Sequence, residues 1–303
     1  MEDKEKILIE KIEQLNNEYL SSGEYHLGVY VKYLYSLFEK RKYIQLARMV
    51  MLHFKQKKTK HKNKDNIAIQ SNKYIINNKS DKKIAVYTCI TGNYDKVEEP
   101  LIMESACDYY LFTNNPNLKS DSWNIREIPE EISKINNNAK INRYIKMHPK
   151  EIFPEYDYAI YIDGNIKIIS IISKFIEKVN NKTGLAIHRH CERNCIFNEI
   201  KACRAYGKGD YSKLKEQVSR YEKEGFPKSY GMLECNVLVS DLKNENAKKI
   251  FDGWWNEYLD SESMRDQIAF PYVLWKNGNK VEDIGNLGSN VNINSAIKIN
   301  THN

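Results

Sequence analysis

Asp163, Gly164 and Asn165 follow the apolar run Ile160-Tyr161-Ile162 and precede another apolar residue, Ile166. Two explanations fit a strand that ends this way. Asp, Gly and Asn are ordinary turn residues. They also suit a ligand site, because open α/β sheets bind ligands at the carboxyl ends of their strands. Two oxygen-bearing side chains around one small residue can address one ion, and hard cations such as Mg2+ and Mn2+ prefer oxygen and share it with phosphates. Lys140 and Arg143 are three residues apart, so on a helix they share a face. Two cations there suit a diphosphate, with the guanidinium fork making paired hydrogen bonds. A solvated basic face is the plainer alternative. The run HRHCERNC, 188–195, contains His188, His190, Cys191 and Cys195, with Cys203 downstream. Imidazole and thiolate are the usual ligands of zinc. The spacing is irregular and no second C-x-x-C pair accompanies it, so a polar loop over buried thiols is the plainer reading.

The surrounding pattern supplies elements to hold these groups. IAVYTCITGNYD predicts a strand over Ile84–Cys89, and DYYLFTNN a second over Tyr109–Thr113 that ends in Asn114 and Asn115. AKINRYIKMHP predicts a helix closed by Pro149, and YDYAIYI the strand that leads to Asp163. Strand, crossover, strand, helix, strand is the pattern of an α/β sheet. Trp254, Trp255 and Trp275 sit among apolar neighbours and read as core before sugar-stacking platforms. Arg265 and Asp266 open an apolar helix, where they would pair with each other or cap it.

Upstream, residues 1–54 have helical periodicity, with Leu8, Ile12, Leu15 and Tyr19 on one face. The block KQKKTKHKNK, 55–64, carries six lysines. It reads as a solvated linker or as a patch for anionic lipid. The chain therefore divides into a helical extension with a basic linker, 1–82, and an α/β domain, 83–303. The 303 residues are 41% hydrophobic, which excludes a disordered chain. The net charge of +7 fits an anionic ligand or membrane surface. The lysine block has no interleaved aromatic residues, which argues against nucleic acid. No stretch reads as a signal peptide or membrane span, and the six cysteines form no dense framework, so a reduced cytoplasmic protein is expected.

The segments VYTCITGNYD, YYLFTNN, NRYIKMHPKEIFPEYDYAIYIDGNI, GMLECNVLVSDL and MRDQIAFPYVLWKNG, within 83–278, carry a resemblance. Together they are similar to nucleotide-sugar-dependent glycosyltransferases of the GT-A fold, in particular a plant and bacterial hexosyltransferase-like family related to the glycogenin-like transferases. The resemblance implies a Rossmann-like mixed sheet flanked by helices. Thr88, Thr91, Tyr94, Thr113 and Asn114 would line the nucleotide pocket, and Lys140 and Arg143 would face the diphosphate. Asp163 and Asn165 would stand at the DxD position and hold Mn2+ or Mg2+, with the late His302 completing the site. An amide as second member departs from the strict motif and is a weaker ligand than a carboxylate. Glu234, Asn236, Asp266 and Gln267 would surround the donor sugar, and His188, Arg189 and Glu199 the donor-sugar or acceptor region. The implied activity is hexose transfer from a nucleotide sugar, a UDP-sugar by expectation, to a hydroxyl of a saccharide or lipid-linked saccharide in surface polysaccharide synthesis. Peripheral membrane contact would run through 55–64. A noncatalytic nucleotide-sugar or glycan binding module is the alternative.

Overall fold

The computed structural model describes residues 74–302, and the chain divides into compact units at Gln70/Ser71, so the architecture below is that of the second unit. The helices expected within 1–54 and the lysine block at 55–64 lie outside the described residues. The stretch before Lys83 contributes β1 (Tyr74–Ile76), which pairs in parallel with β3 (Ile102–Glu104).

The main sheet has seven strands: β2 (Ile84–Ile90), β4 (Cys107–Thr113), β5 (Asn124–Glu127), β6 (Tyr158–Ile162), β8 (Leu185–Arg189), β9 (Leu233–Asp241) and β10 (Gly285–Asn286). Their spatial order is β10-β8-β9-β6-β2-β4-β5. β9 runs antiparallel to both its neighbours, and the other pairings are parallel. Every residue of β2 is buried, as expected of a strand covered on both faces, which reads as a continuous apolar run. The expected mixed α/β class is the one observed.

The chain passes from β2 outward to β4 and β5, then returns past β2 to form β6 on its other side. Connections leave β2 and β6 in opposite directions, so a crevice opens between their carboxyl ends. Such a switch point is where doubly wound sheets bind ligands. Thr91 and Asp163 are the first residues beyond those two strands.

Alternation along the strands sorts side chains between two layers. Ala85, Tyr87, Cys89 and Tyr161 pack on one face with Ile141, Ile145, Trp254 and Ile268, while Val86, Ile160, Ile162 and Val237 belong to the other. The helices are α1 (Glu130–Ser133), α2 (Asn138–Met147), α3 (Pro149–Ile152), α4 (Ile196–Ala205), α5 (Tyr211–Lys223), α6 (Glu245–Ser261) and α7 (Asp266–Lys276). Asn137 caps α2 by accepting from the Lys140 amide at 2.9 Å. The helix ends at His148 because Pro149 cannot continue it and instead opens α3. Trp254 is fully buried in α6, in agreement with the core reading.

After the Asp163 turn, β7 (Ile166–Ile168) pairs antiparallel with β11 (Ile297–Ile299). This ribbon returns the end of the chain to the crevice. The Asn165 amide donates to the Asn300 carbonyl at 2.8 Å, and the Asn300 amide donates back to the Asn165 carbonyl at 2.9 Å. Asn165→Ala removes one of these bonds, at a cost of about 1 kcal/mol. The expected outcome is faster hydrogen exchange at amides 297–300 with the main sheet unchanged, read by mass spectrometry.

Candidate active site

At the end of β2 the chain makes a turn that requires left-handed backbone at Gly92 (φ 63°) and Asn93 (φ 55°). A Cβ on Gly92 would also come within 2.4 Å of the Asn138 amide nitrogen. The turn is tied to its neighbours. Thr91 Oγ1 donates to the Asn138 carbonyl at 2.9 Å, the Gly92 amide donates to Asn114 Oδ1 at 3.0 Å, and Asn114 Nδ2 donates to Asn138 Oδ1 at 2.8 Å. Thr91, Gly92 and Asn114 thus meet the first turn of α2, and Tyr94 stands exposed beside them. Thr88 and Thr113 do not join this group. Alternation turns Thr88 to the face of Val86 and Ile90, and Thr113 to that of Tyr109 and Leu111. Both are buried, and Thr113 Oγ1 accepts from the Asn115 amide at 3.1 Å.

At the end of β6 the structure has the expected turn. The Ile166 amide donates to the Asp163 carbonyl at 3.0 Å, which closes a tight turn. The Asp163 carboxylate, 29% exposed, reaches the crevice, with Oδ1 3.9 Å from Lys146 Nζ. Gly164 is needed because a Cβ there would lie 2.9 Å from Ile90 Cγ1 and 3.0 Å from Asp95 Oδ2. His302 arrives on the β7–β11 ribbon and contacts Asp95, Nδ1 to Oδ1, at 2.8 Å, with its ring 5.0 Å from that of Tyr94.

These placements bear on a divalent cation. Asn165 spends its amide nitrogen on the Asn300 backbone. Among the described residues only His190, Cys191 and Glu234 bring three metal-ligating atoms within 4.8 Å of one another, so Asp163, Asp95 and His302 do not form a closed cage. Small hard cations commonly take one or two carboxylates and complete their shell with substrate phosphate and water. The part-exposed Asp163 fits that arrangement.

The centre of the site is a buried ion cluster. Asp266, in the first turn of α7, places Oδ2 2.7 Å from Lys146 Nζ and 3.1 Å from Arg143 Nε. Lys146 is 2% exposed and lies over the rings of Tyr161 (5.4 Å) and Trp254 (5.5 Å). Trp254 Nε1 donates to the Asp266 carbonyl at 2.7 Å. Burial alone would raise the Asp266 carboxyl, yet Arg143, Lys146 and Arg265 together hold it well below the usual carboxylate range. Arg143 therefore differs from its sequence expectation: its guanidinium is engaged by Asp266 and by the Asn142 side chain. Lys140, half-buried one turn earlier, is paired with no described carboxylate. Lys146 was missed because a lysine in a helix reads as surface. Its three-residue spacing from Arg143 was the available signal.

A second cluster borders the first through Gln267, whose Nε2 lies 3.1 Å from the Leu233 carbonyl and 3.3 Å from Glu234 Oε2. His190 Nε2 is 3.5 Å from both Glu234 Oε1 and Glu199 Oε2, and Arg193 pairs with Glu199. The Asn236 carbonyl accepts from the Asp163 amide at 2.9 Å, while its Oδ1 is buried with no partner. His188 is not among these groups. It is fully buried, contacts Asn294 Nδ2 at 2.8 Å and faces Phe175. Burial pushes its pKa down to about 4. Arg189 donates to the Ile284 carbonyl at 2.7 Å and so secures the segment before β10. The five candidate zinc ligands are split: Cys203 lies 3.8 Å from Glu199 and His188 stands apart.

Removing one partner of a buried ion pair leaves the other charge uncompensated and costs about 3–5 kcal/mol. Asp266→Ala is expected to lose stability on that scale in denaturant titrations at pH 7. The Asp266 pKa is lower folded than unfolded, so its contribution is present above the ordinary value of 3.8 and falls away only under more acidic conditions. The deficit of the variant should accordingly be constant from pH 5 to 8 (roughly, by linkage) and shrink only in strong acid.

Comparison with known proteins gives these residues a context. The TOD1/MUCI70, glycosyltransferase-like domain matches residues 33–302. Probable hexosyltransferase MUCI70 of Arabidopsis thaliana is 29% identical over 141 residues, which cover 42% of this chain and 23% of that protein. The Ras-related protein RABG3b of Arabidopsis thaliana is 43% identical over 58 residues, 19% of this chain and 28% of that one. The matches thus span about a quarter of the length of the curated relatives. Among solved structures, the WbbM bifunctional glycosyltransferase has a TM-score of 0.40 at 9% identity, over 80% of this chain and 50% of that one. The galactosyltransferase LgtC, in complex with donor and acceptor sugar analogues, has a TM-score of 0.38 at 12% identity, over 62% of this chain and 70% of that one. Scores this low carry no further argument, and the family rests on the match over residues 33–302: the chain belongs to the TOD1/MUCI70 glycosyltransferase-like domain family.

Proposed function

We propose that this domain transfers a hexose from a nucleoside diphosphate sugar, specifically a UDP-sugar, to a hydroxyl of a saccharide or lipid-linked saccharide. The observation that carries the reading is the cationic floor of the crevice between β2 and β6. Among the described residues Lys146, Arg143 and Arg265 have Asp266 and Asp163 as their carboxylate neighbours there, and Lys140 on the same helix is paired with no carboxylate. Glycosyl transfer requires the departing diphosphate to be neutralised, and fixed cations in a poorly hydrated crevice do so without reorganisation. Of the two residues expected to face the diphosphate, Lys140 keeps that role, while Arg143 and Lys146 act through the field of the cluster. The turn at Gly92 and Asn93, with Asn114, borders the floor where a nucleoside would extend from the phosphates. Asp163 would hold a divalent cation shared with the phosphates, and that ion would supply Lewis-acid stabilisation of the leaving group. A cytoplasmic location, contact with the membrane face through 55–64 and a role in surface polysaccharide synthesis belong to the same proposal. A noncatalytic binding module is the second reading, favoured by the commitment of Asn165 to the Asn300 backbone.

Calorimetric titration of UDP and of uridine separates phosphate contacts from base contacts. A charge-assisted contact contributes roughly 1.5–3 kcal/mol, so Lys140→Ala should weaken UDP about ten- to a hundredfold and leave uridine unchanged. Equal losses for the two ligands would show that Lys140 supports the pocket without touching phosphate. Release of UDP from a UDP-hexose distinguishes an enzyme from a binding module.

A further inference from the structure

We propose that Glu234 is the base that takes the proton from the acceptor hydroxyl, and that His190 is the positioning residue that orients its carboxylate. The inference rests on the reading of the crevice as a glycosyl-transfer site.

His190 follows β8 directly, and its side chain is 2% exposed. Nδ1 accepts from the backbone amides of Glu192 and Arg193, each at 3.1 Å. A ring nitrogen that accepts two N–H groups carries no proton. Nε2 in turn lies 3.5 Å from a carboxylate oxygen on each side, Glu199 Oε2 and Glu234 Oε1. The Arg193 guanidinium, 3.2 Å from Nε2, adds positive charge at the same point. Both features oppose a metal ion on His190, Cys191 and Glu234. A metal on Nε2 would need the ring to be an imidazolate, and it would sit against a guanidinium.

The two glutamates differ in what they reach. Glu199 is sealed in α4, paired with Arg193 and within 3.8 Å of the Cys203 thiol. Glu234 opens β9 and is 18% exposed, with Oε2 3.3 Å from Gln267 Nε2. Gln267 is the neighbour of Asp266 on α7, so Glu234 stands at the rim of the cationic floor. Gln267 holds one carboxylate oxygen, His190 lies 3.5 Å from the other, and the side chain remains part-exposed.

Burial raises the Glu234 carboxyl, and Glu199 adds to the rise, while His190, Arg193 and Gln267 oppose it. The exposed Cys191 and the buried Cys235 also lie within its field, and desolvation raises both thiols. A carboxylate raised toward neutrality is a better base than an ordinary one. In the step itself the acceptor oxygen bonds to the anomeric carbon. The bond from that carbon to the phosphate oxygen breaks, its electron pair leaves with the diphosphate, and the acceptor proton moves to a Glu234 oxygen.

The test uses the full chain, a panel of UDP-hexoses with water as acceptor, and UDP release as the readout. Glu234→Gln is expected to bind UDP within about twofold of wild type and to lose on the order of a hundredfold or more in turnover. His190→Phe should also bind UDP, turn over more slowly, and move the acidic limb of the rate profile to higher pH. That sign follows because the His190 ring lowers the Glu234 carboxyl, and a carboxylate that loses this influence holds its proton more tightly. A residue that only supported the fold would lower the rate at every pH and leave the limb in place. Wild-type turnover in Glu234→Gln, or an unmoved limb in His190→Phe, would overturn the proposal. UDP binding by wild type without UDP release from any donor would overturn the base and leave the donor pocket standing. Absence of UDP binding by wild type would overturn both.

Discussion

The site depends on one buried ion pair, Lys146 with Asp266, joined across 120 residues of chain. An ammonium group in an apolar interior is unstable without a close counter-charge. Lys146 gains that charge from the first turn of α7, and Arg143 shares it from one turn earlier on α2. The pair thereby clamps two helices over the carboxyl edge of the sheet. Trp254 closes the clamp from α6 by bonding to the Asp266 carbonyl. The same contacts leave the local charge positive, because three cations face two carboxylates. The structure and the proposed affinity for an anion thus have a common source.

Sheet topology decides where that charge is displayed. β2 and β6 are adjacent, parallel and left by the chain in opposite directions, so nothing crosses the gap at their ends. The antiparallel β9 brings Glu234 and Asn236 to the same edge, since its first residues lie beside the last residues of β6 and β8. The β7–β11 ribbon adds His302 from the far end of the chain.

The core strands were legible because parallel strands buried on both faces leave unbroken apolar runs, as in β2 and β6. The Asp163 turn was legible because acid, glycine and amide interrupted such a run. Strand ends were over-read. Thr88 and Thr113 lie near the right ends but point to the opposite face, which the two-residue period shows only once the strand's inner face is known. Asn165 matched a ligand motif, yet its partner is a backbone group 135 residues away. Lys146 was hidden for the same reason: its burial depends on Asp266, a long-range contact that helical periodicity cannot register. His188 and His190 are two residues apart, but the register shift at Ile187/His188 accompanies a layer filled by His188 and a polar cluster filled by His190.

The central claim is that the crevice between β2 and β6 receives a nucleoside diphosphate. Hydrogen exchange followed by mass spectrometry, with and without UDP, tests it on the full chain without any variant. Slowed exchange should concentrate at 91–94, 138–147, 163–166 and 231–236, the segments that border the cationic floor. Protection confined to segments remote from that edge, or no protection at saturating UDP, would contradict the account.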